Sequence, residues 1–490
     1  MQKIICFLFL GLGLACTNLE EEPFSEATPE KFFTTEKSLE AALVPAYSSL
    51  RAYTWNYWNV SQQSSDETQV TNWHIFYSWA LINSHEFLPQ DEEIGKLWNY
   101  IYESIGSCNK VLAVYEKAKN APPTKSIYVA EARVLRVFYY FLLLDTFGNG
   151  PLLTAASFGL SERPAQATRT QIFDFCEKEL REATPDLLDK APYGRVNKQM
   201  ANTLLAKIYL NAEVFTGKPR WNDCLEACDA VIKSGLYELT TDYFDNFKVQ
   251  NETSKEIIFP IVFSAFIDLG FPNMNFYMRS LHYRQMPVSP WNGFCTIAEF
   301  YDGFDQNDYR RSVLWEGPQY ERLTWPKASK TGNILKTSSG QPLSFNRNFT
   351  PAIAYETNGI RVIKYEPDVK APGGQAENDY VIFRYADVLL AKAEALVRLG
   401  RNAEALPLVN PLRIRAGVPV LTTLNLNQIY QERGFELFWE GFRRQDQIRF
   451  GTFSARFVNK PMQNQPYKVL FPIPAQQLEA NPKWKQNVGY

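Results

Sequence analysis

Hydrophobic and polar positions recur with a helical period through most of this chain. Residues 37–52, KSLEAALVPAYSSLRA, put Leu39, Leu43, Ala46, Tyr47 and Leu50 on one face, predicting an amphipathic helix that ends near Tyr53. Residues 94–117 repeat the pattern with Leu97, Ile101, Ile105, Cys108 and Leu112. Residues 128–147, YVAEARVLRVFYYFLLLDTF, are apolar nearly all round, so this helix should be more buried; Gly148 to Pro151 stop it. Two later helix pairs resemble each other. Residues 198–214 lead through FTGKPR to 221–234, and 384–399 lead through GR to 402–416. Their Ala and Leu at helical spacing let two helices approach closely. The style is that of tetratricopeptide hairpins without a clean 34-residue period, and any packed helical hairpin fits the pattern equally.

Residues 240–380 lose the helical period and are rich in Pro, Gly, Asn and aromatic residues. EIIFPIVFS (256–264) reads as a strand, and YVIFRYAD (380–387) as a strand entering a helix. Long irregular chain inside an ordered protein usually carries function. The expected fold is therefore mainly α: helix hairpins forming a scaffold, a long loop-rich face and a few short strands.

Residues 1–16, MQKIICFLFLGLGLAC, have a positive start, an apolar run and small residues before Cys16, the plan of a secretory signal. The run is too short to span a bilayer. LGLAC also resembles the lipobox of bacterial lipoproteins, which implies a signal over 1–15 and acylation of Cys16. An ordinary signal cut elsewhere, leaving Cys16 a plain thiol, is the other reading. Residues 16–36, with Glu20 to Glu22, read as an acidic tether, and 37–490 as one domain. Its parts are a helical half (37–239), the irregular segment (240–380) and a C-terminal helical segment (381–490).

Of the 490 residues, 51 are basic and 53 acidic, with no basic stripe to attract nucleic acid. Apolar residues make up 45% of the chain, enough for a sizeable core. Cys108, Cys176, Cys224, Cys228 and Cys295 read as small buried apolar residues. With only three histidines and no second ligand pair beside Cys224 and Cys228, neither a metal nor a cofactor is expected. Asp302, Asp305 and Asp308 lack the spacing of a calcium loop, and Asp308 with Arg310 reads as a structural pair.

Aromatic residues are abundant, at 14%, and cluster in YTWNYWNV (53–60). Tyr53, Trp55 and Tyr57 alternate with Thr54 and Asn56, an extended period of two. Polar chain follows, with Asp66, Trp73, Phe76, Tyr77 and Trp79. A sugar presents apolar C–H faces and a rim of hydroxyls, so flat amphipathic rings beside amides and a carboxylate suit it. Trp55, Tyr57, Trp58, Asp66 and Trp73 are the candidate ligand residues here; Phe76, Trp79 and Trp98 read as packing.

The sequences RYADVLLAKAEAL (384–396), VNPLRIRAG (409–417), ERGFELFWEGFRRQDQIRFG (432–451), FPIP (471–474) and the terminal NPKWKQNVGY resemble the SusD/RagB family of outer-membrane nutrient-binding lipoproteins. AEARVLRVFYYFLLLDTFGNGPL (130–152) and RVNKQMANTLLAKIYL (195–210) match the family's first half. The resemblance implies a tetratricopeptide-like scaffold, a loop-built ligand face, an outer-membrane location facing the exterior, and a partner of the SusC type, a TonB-dependent transporter that receives the captured nutrient. It also implies ligand contacts from the irregular central segment, where Tyr283, Trp291 and Tyr320 are the candidates.

Glu432, Glu436 and Glu440 recur every four residues, with Arg433, Arg443, Arg444, Arg449 and Asp446 nearby. Acid–base catalysis would use such a pair, but a structural ion-pair network is the expected reading. The expected function is capture of an oligo- or polysaccharide without catalysis. A RagB-type peptide binder and a helical glycoside hydrolase are the alternatives.

Overall fold

The structure, a computed structural model, describes residues 32–71, 77–157, 164–264, 276–348, 355–371, 375–455 and 465–490. The lipobox, the acidic run and Trp73 lie outside them.

Twelve main helices are described: α1 (Glu36–Ser48), α2 (Tyr57–Gln63), α3 (Tyr77–Ser84), α4 (Glu92–Lys117), α5 (Lys125–Thr146), α6 (Arg169–Ala183), α7 (Lys198–Leu210), α8 (Trp221–Lys233), α9 (Tyr385–Arg398), α10 (Asn402–Ala416), α11 (Leu426–Leu437) and α12 (Arg443–Arg449). Local chemistry sets many of the ends. Thr35, Thr168 and Asn425 each close a reciprocal capping box with the third residue of the helix. Gly417, at φ 74°, ends α10 in the left-handed region that glycine enters without penalty.

The packing order is a row. α4 lies on α5, α5 on α6, α7 on α8, α8 on α9, and α9 on both α10 and α11. The two similar hairpins, α7/α8 and α9/α10, are thus neighbours in space although the irregular segment separates them in sequence. α5 is more deeply buried than α4, as its apolar pattern predicts: Leu135, Val137, Tyr139, Tyr140 and Leu143 are inaccessible. Cys108, Cys176, Cys224, Cys228 and Cys295 are buried free thiols.

One predicted element differs. The helix expected over 37–52 ends at Ser48 and tightens into a 3₁₀ turn over Ser49–Thr54, and α2 follows at Tyr57. Residues 53–57 are therefore not extended. Tyr53 and Tyr57 are four apart, and their rings meet at 5.1 Å and pack into the core beside Phe138 and Tyr380. A spacing of four suits a helical face as well as an alternating strand, and burial of these rings selects the helical solution.

The predicted strands form β4 (Ile257–Ile261) and β10 (Tyr380–Arg384), which pair antiparallel with Arg384 opposite Ile257. β10 runs straight into α9, and this puts Arg384 at the centre of a buried charge lattice. Arg384 reaches Glu256 and Glu436 at 2.6 Å and Glu440 at 2.7 Å. Arg310 binds Asp308 and Glu432 at 2.7 Å and Glu436 at 2.9 Å. Arg433 and Arg449 share Asp446 and Glu394. The acidic row is thus the ion-pair network that the sequence suggests. Glu440, however, is not on the same helix, because α11 ends at Leu437 and Trp439 takes φ 58°. Burial alone would raise the Glu436 carboxyl, but Arg415, Arg384 and Arg310 outweigh it and hold the group well below the usual carboxylate range.

The loop-rich face is built from two-residue ladders. β1 (Gln69–Val70) pairs with β5 (Phe294–Cys295), Thr296 bridges Ile360, and β6 (Leu314–Trp315) pairs with β9 (Arg361–Val362). A ribbon joins β7 (Gly317–Pro318) to β8 (Ser344–Phe345), and after α5 the strand β2 (Gly150–Pro151) pairs with β3 (Gln166–Ala167).

Candidate functional site: a tryptophan platform on the loop face

Trp55 lies at the junction between the 3₁₀ turn and α2, half-buried. Its approach to Trp291 depends on long-range pairing. Gln69 sits opposite Cys295, Thr71 N donates to Gly293 O at 2.8 Å, and Thr71 Oγ1 donates to Asn292 O at 2.7 Å. Segments 278–281 and 291–293 are also zipped together: Trp291 N donates to Met278 O and Gly293 N to Arg279 O, both at 2.7 Å. These bonds fix the backbone that carries Trp291.

The rings of Trp55 and Trp291 then meet at 5.6 Å, inclined by 44°. Trp79, nearly buried, backs Trp55 at 6.3 Å and rests on Phe294 at 5.3 Å. Tyr77, on the first turn of α3, is 55% exposed. Behind Trp55, the wholly buried Arg279 lies 4.8 Å from the ring centres of both Trp55 and Trp58. Its guanidinium donates to Asn59 Oδ1 at 2.6 Å and Thr54 O at 3.3 Å. Burial pulls its pKa down to about 9, so it stays cationic at neutral pH. A desolvated cation against two indole faces is worth on the order of 2 kcal/mol and fixes the ring planes.

Tyr283 is half-buried, two residues beyond Leu281, whose carbonyl accepts from Asn292 N at 3.0 Å. The buried His282 holds this loop through Nε2 and Glu356 Oε2 at 2.8 Å. Burial, the larger effect, lowers the His282 pKa against the pull of Glu356. Tyr320 is half-buried on the β7–β8 ribbon opposite Ile334. The preceding residue, Gln319, accepts from Gln285 Nε2 at 3.1 Å and so ties the ribbon to the Tyr283 loop. No ring contact joins Tyr320 to the tryptophans among the described residues.

Three of the predicted ligand residues belong elsewhere. Trp58 has no exposed surface; its ring meets Trp439 edge-on at 5.6 Å and its Nε1 donates to Trp439 O at 3.1 Å. Tyr57 is 1% exposed, with its hydroxyl between Asp145 Oδ2 (3.0 Å) and Gln445 Nε2 (2.8 Å). Asp66 takes the Arg443 guanidinium at 2.7 and 3.0 Å. Deep burial and ion pairing leave none of the three free to meet a sugar. Asp302 binds Arg347, and Asp305 caps Asn307 N. Arg279 and Tyr77 were not among the predicted site residues, and nothing local in FYMRSLHYR marks the arginine.

Two family profiles match. One, described as the SusD family, covers residues 230–490. The other, described as starch-binding and associating with the outer membrane, covers residues 18–210. A helical scaffold with a loop-built aromatic face is the architecture at hand, and the chain belongs to the SusD family. It is 27% identical to the starch-binding protein SusD of Bacteroides thetaiotaomicron over 74% of this chain and 72% of that protein. It is 26% identical to SusD-like protein P38 of Formosa agariphila over 99% of this chain and 98% of its relative. Among solved structures, a laminarin-binding SusD-like protein superposes with a TM-score of 0.76 at 22% identity, over 94% of this chain and all of the other. Surface glycan-binding protein A of B. thetaiotaomicron, in complex with laminarihexaose, gives 0.72 at 23% identity over 93% and 100%. No helix among the described residues is long and apolar enough to cross a membrane.

Proposed function

We propose that this protein is a cell-surface lipoprotein that captures an oligo- or polysaccharide and delivers it to a SusC-type TonB-dependent transporter in the outer membrane. Acylation at Cys16 anchors it, and the acidic tether that follows sets it off the bilayer. The observation that carries the reading is the Trp55–Trp291 pair. Two indoles from opposite halves of the chain meet at 5.6 Å on the loop face, and a buried cation backs Trp55. Two inclined rings match a sugar chain whose successive units turn their C–H faces through an angle. Tyr283 on the adjoining loop is a further candidate contact, as is Trp73 on the sequence reading. The names of the relatives, starch-binding and laminarin-binding, point to the same class of ligand. Binding without catalysis is the favoured mode, because the row Glu432, Glu436 and Glu440 is consumed by arginines in the core.

The test is electrophoresis of the soluble chain lacking residues 1–16 through native gels that contain single polysaccharides. One or more neutral glycans should retard the protein, and Trp55→Ala and Trp291→Ala should each cut affinity about tenfold or more, the usual cost of losing a stacked ring. Retardation by no glycan, together with binding of oligopeptides, would overturn the reading.

A further inference from the structure

A second cavity of about 960 Å³ opens on the loop-rich face, between the segment around Tyr301–Trp315 and the β7–β8 ribbon. Its carboxylates are already matched. Arg347 takes Glu316 through Nε at 2.7 Å and Asp302 through Nη1 at 2.8 Å. Asp308 is held by the buried Arg310 at 2.7 Å. The Arg347 hydrogen bonds outweigh burial and keep the Glu316 carboxyl ionised, below its ordinary range.

Three cations of the lining, Arg311, Lys327 and Lys330, have no carboxylate within ion-pair reach among the described residues. Arg311 is the informative one. Its guanidinium lies 4.0 Å from the centre of the Tyr301 ring, which fixes its plane. Its Nε is shut off from solvent and has no hydrogen-bond partner among the described residues. The terminal nitrogens of this planar donor fork, held on a tyrosine at a cavity wall, suit an oxyanion. Asn346, Asn348 and Gln306 supply amides around it. Rings, amides and a surplus of positive charge together fit a sugar unit that carries an acid.

We infer that this cavity is a second glycan subsite, in which Arg311, stacked on Tyr301 and supported by Lys327 and Lys330, binds an oxyanion carried on a saccharide. The oxyanion is a uronate carboxylate or a sulfate ester. The inference rests on the glycan-binding reading and adds the charge of the ligand to it. The Trp55–Trp291 platform grips neutral ring faces, and the cavity selects chains with acidic units or branches.

The experiment is calorimetric titration of the soluble chain with three probes: oligogalacturonate, a κ-carrageenan oligosaccharide and laminarihexaose. Arg311→Gln, Lys327→Gln/Lys330→Gln and Trp55→Ala variants run beside the parent, each checked for an unchanged melting temperature. At least one acidic probe should bind, more weakly as salt rises. Arg311→Gln should weaken it about tenfold or more, and the double lysine variant by a smaller factor, with no effect on any neutral glycan. The two acidic probes separate carboxylate from sulfate. Acidic binding that Arg311→Gln leaves intact overturns the inference, as does neutral binding with no affinity for either acidic probe. Failure of every glycan, neutral and acidic, removes the glycan-binding reading itself.

Discussion

Trp55 and Trp58 stand three residues apart in the same aromatic stretch, yet they do different work. Trp55 is half-buried and touches Trp291 across the loop face. Trp58 fills a sealed site between Arg279 and Trp439. Trp58→Ala should therefore act on stability. It removes a large wholly buried ring and strands the carbonyl of Trp439, at a cost of about 3–5 kcal/mol. Urea unfolding of the variant would show this as a lower midpoint with an unchanged slope. A shift below about 1 kcal/mol would mean that the site is not closed. The sequence marks both residues equally, as aromatics among amides. What separates them is Trp439, 381 residues from Trp58, and no local pattern carries that information.

At the scale of elements, the helices were legible because burial of one face writes a 3.6-residue period into the chain. α7 to α10 begin and end within a few residues of their predicted limits. The misreadings fall where two periods coincide or a backbone break intervenes. Tyr53 and Tyr57 satisfy both an alternating strand and a helical face, and Glu440 lies beyond the left-handed residue Trp439. The break has a consequence for the charge lattice. Because α11 ends at Leu437, Glu440 turns back toward β10, so Arg384 receives Glu436 and Glu440 from two segments and Glu256 from a third. Arg384→Met should be among the most damaging single changes in the molecule. It leaves three buried carboxylates short of a cation, and breaking a buried pair from one side costs about 3–5 kcal/mol. Calorimetry should record a large drop in melting temperature. A loss near that of an exposed arginine, such as Arg401, would show that the lattice carries little of the fold.

The whole molecule holds buried carboxyls of two opposite kinds, and their balance shapes its pH response. Burial pushes the Glu67 carboxyl up to about 8, against Arg443 and its hydrogen bonds from Gln62 and Trp439, and raises Asp379 to about 6. Each holds a proton in the folded chain that the unfolded chain releases near pH 4, so the stability they lend is full at low pH and declines as pH rises through the window up to those values. Glu436, Asp446, Asp387 and Glu394 act in the other sense. Burial raises them, but their arginine and lysine partners prevail and set them below the usual range. Their contribution is present above the unfolded pKa near 4 and is lost as pH falls further. His282, lowered by burial, also withdraws stability as pH drops below about 6.5. The two sets oppose each other, and the melting temperature should peak on the acid side of neutrality. Glu67→Gln separates the sets. It keeps an oxygen for the bonds from Gln62 Nε2 and Trp439 N but cannot ionise, so it should gain on the parent by about 3–4 kcal/mol between pH 5 and pH 8 and move the peak upward. Urea unfolding of both proteins at the two pH values measures that gain directly. Parallel profiles would mean that Glu67 is ionised in the folded protein, with Arg443 near enough to govern it.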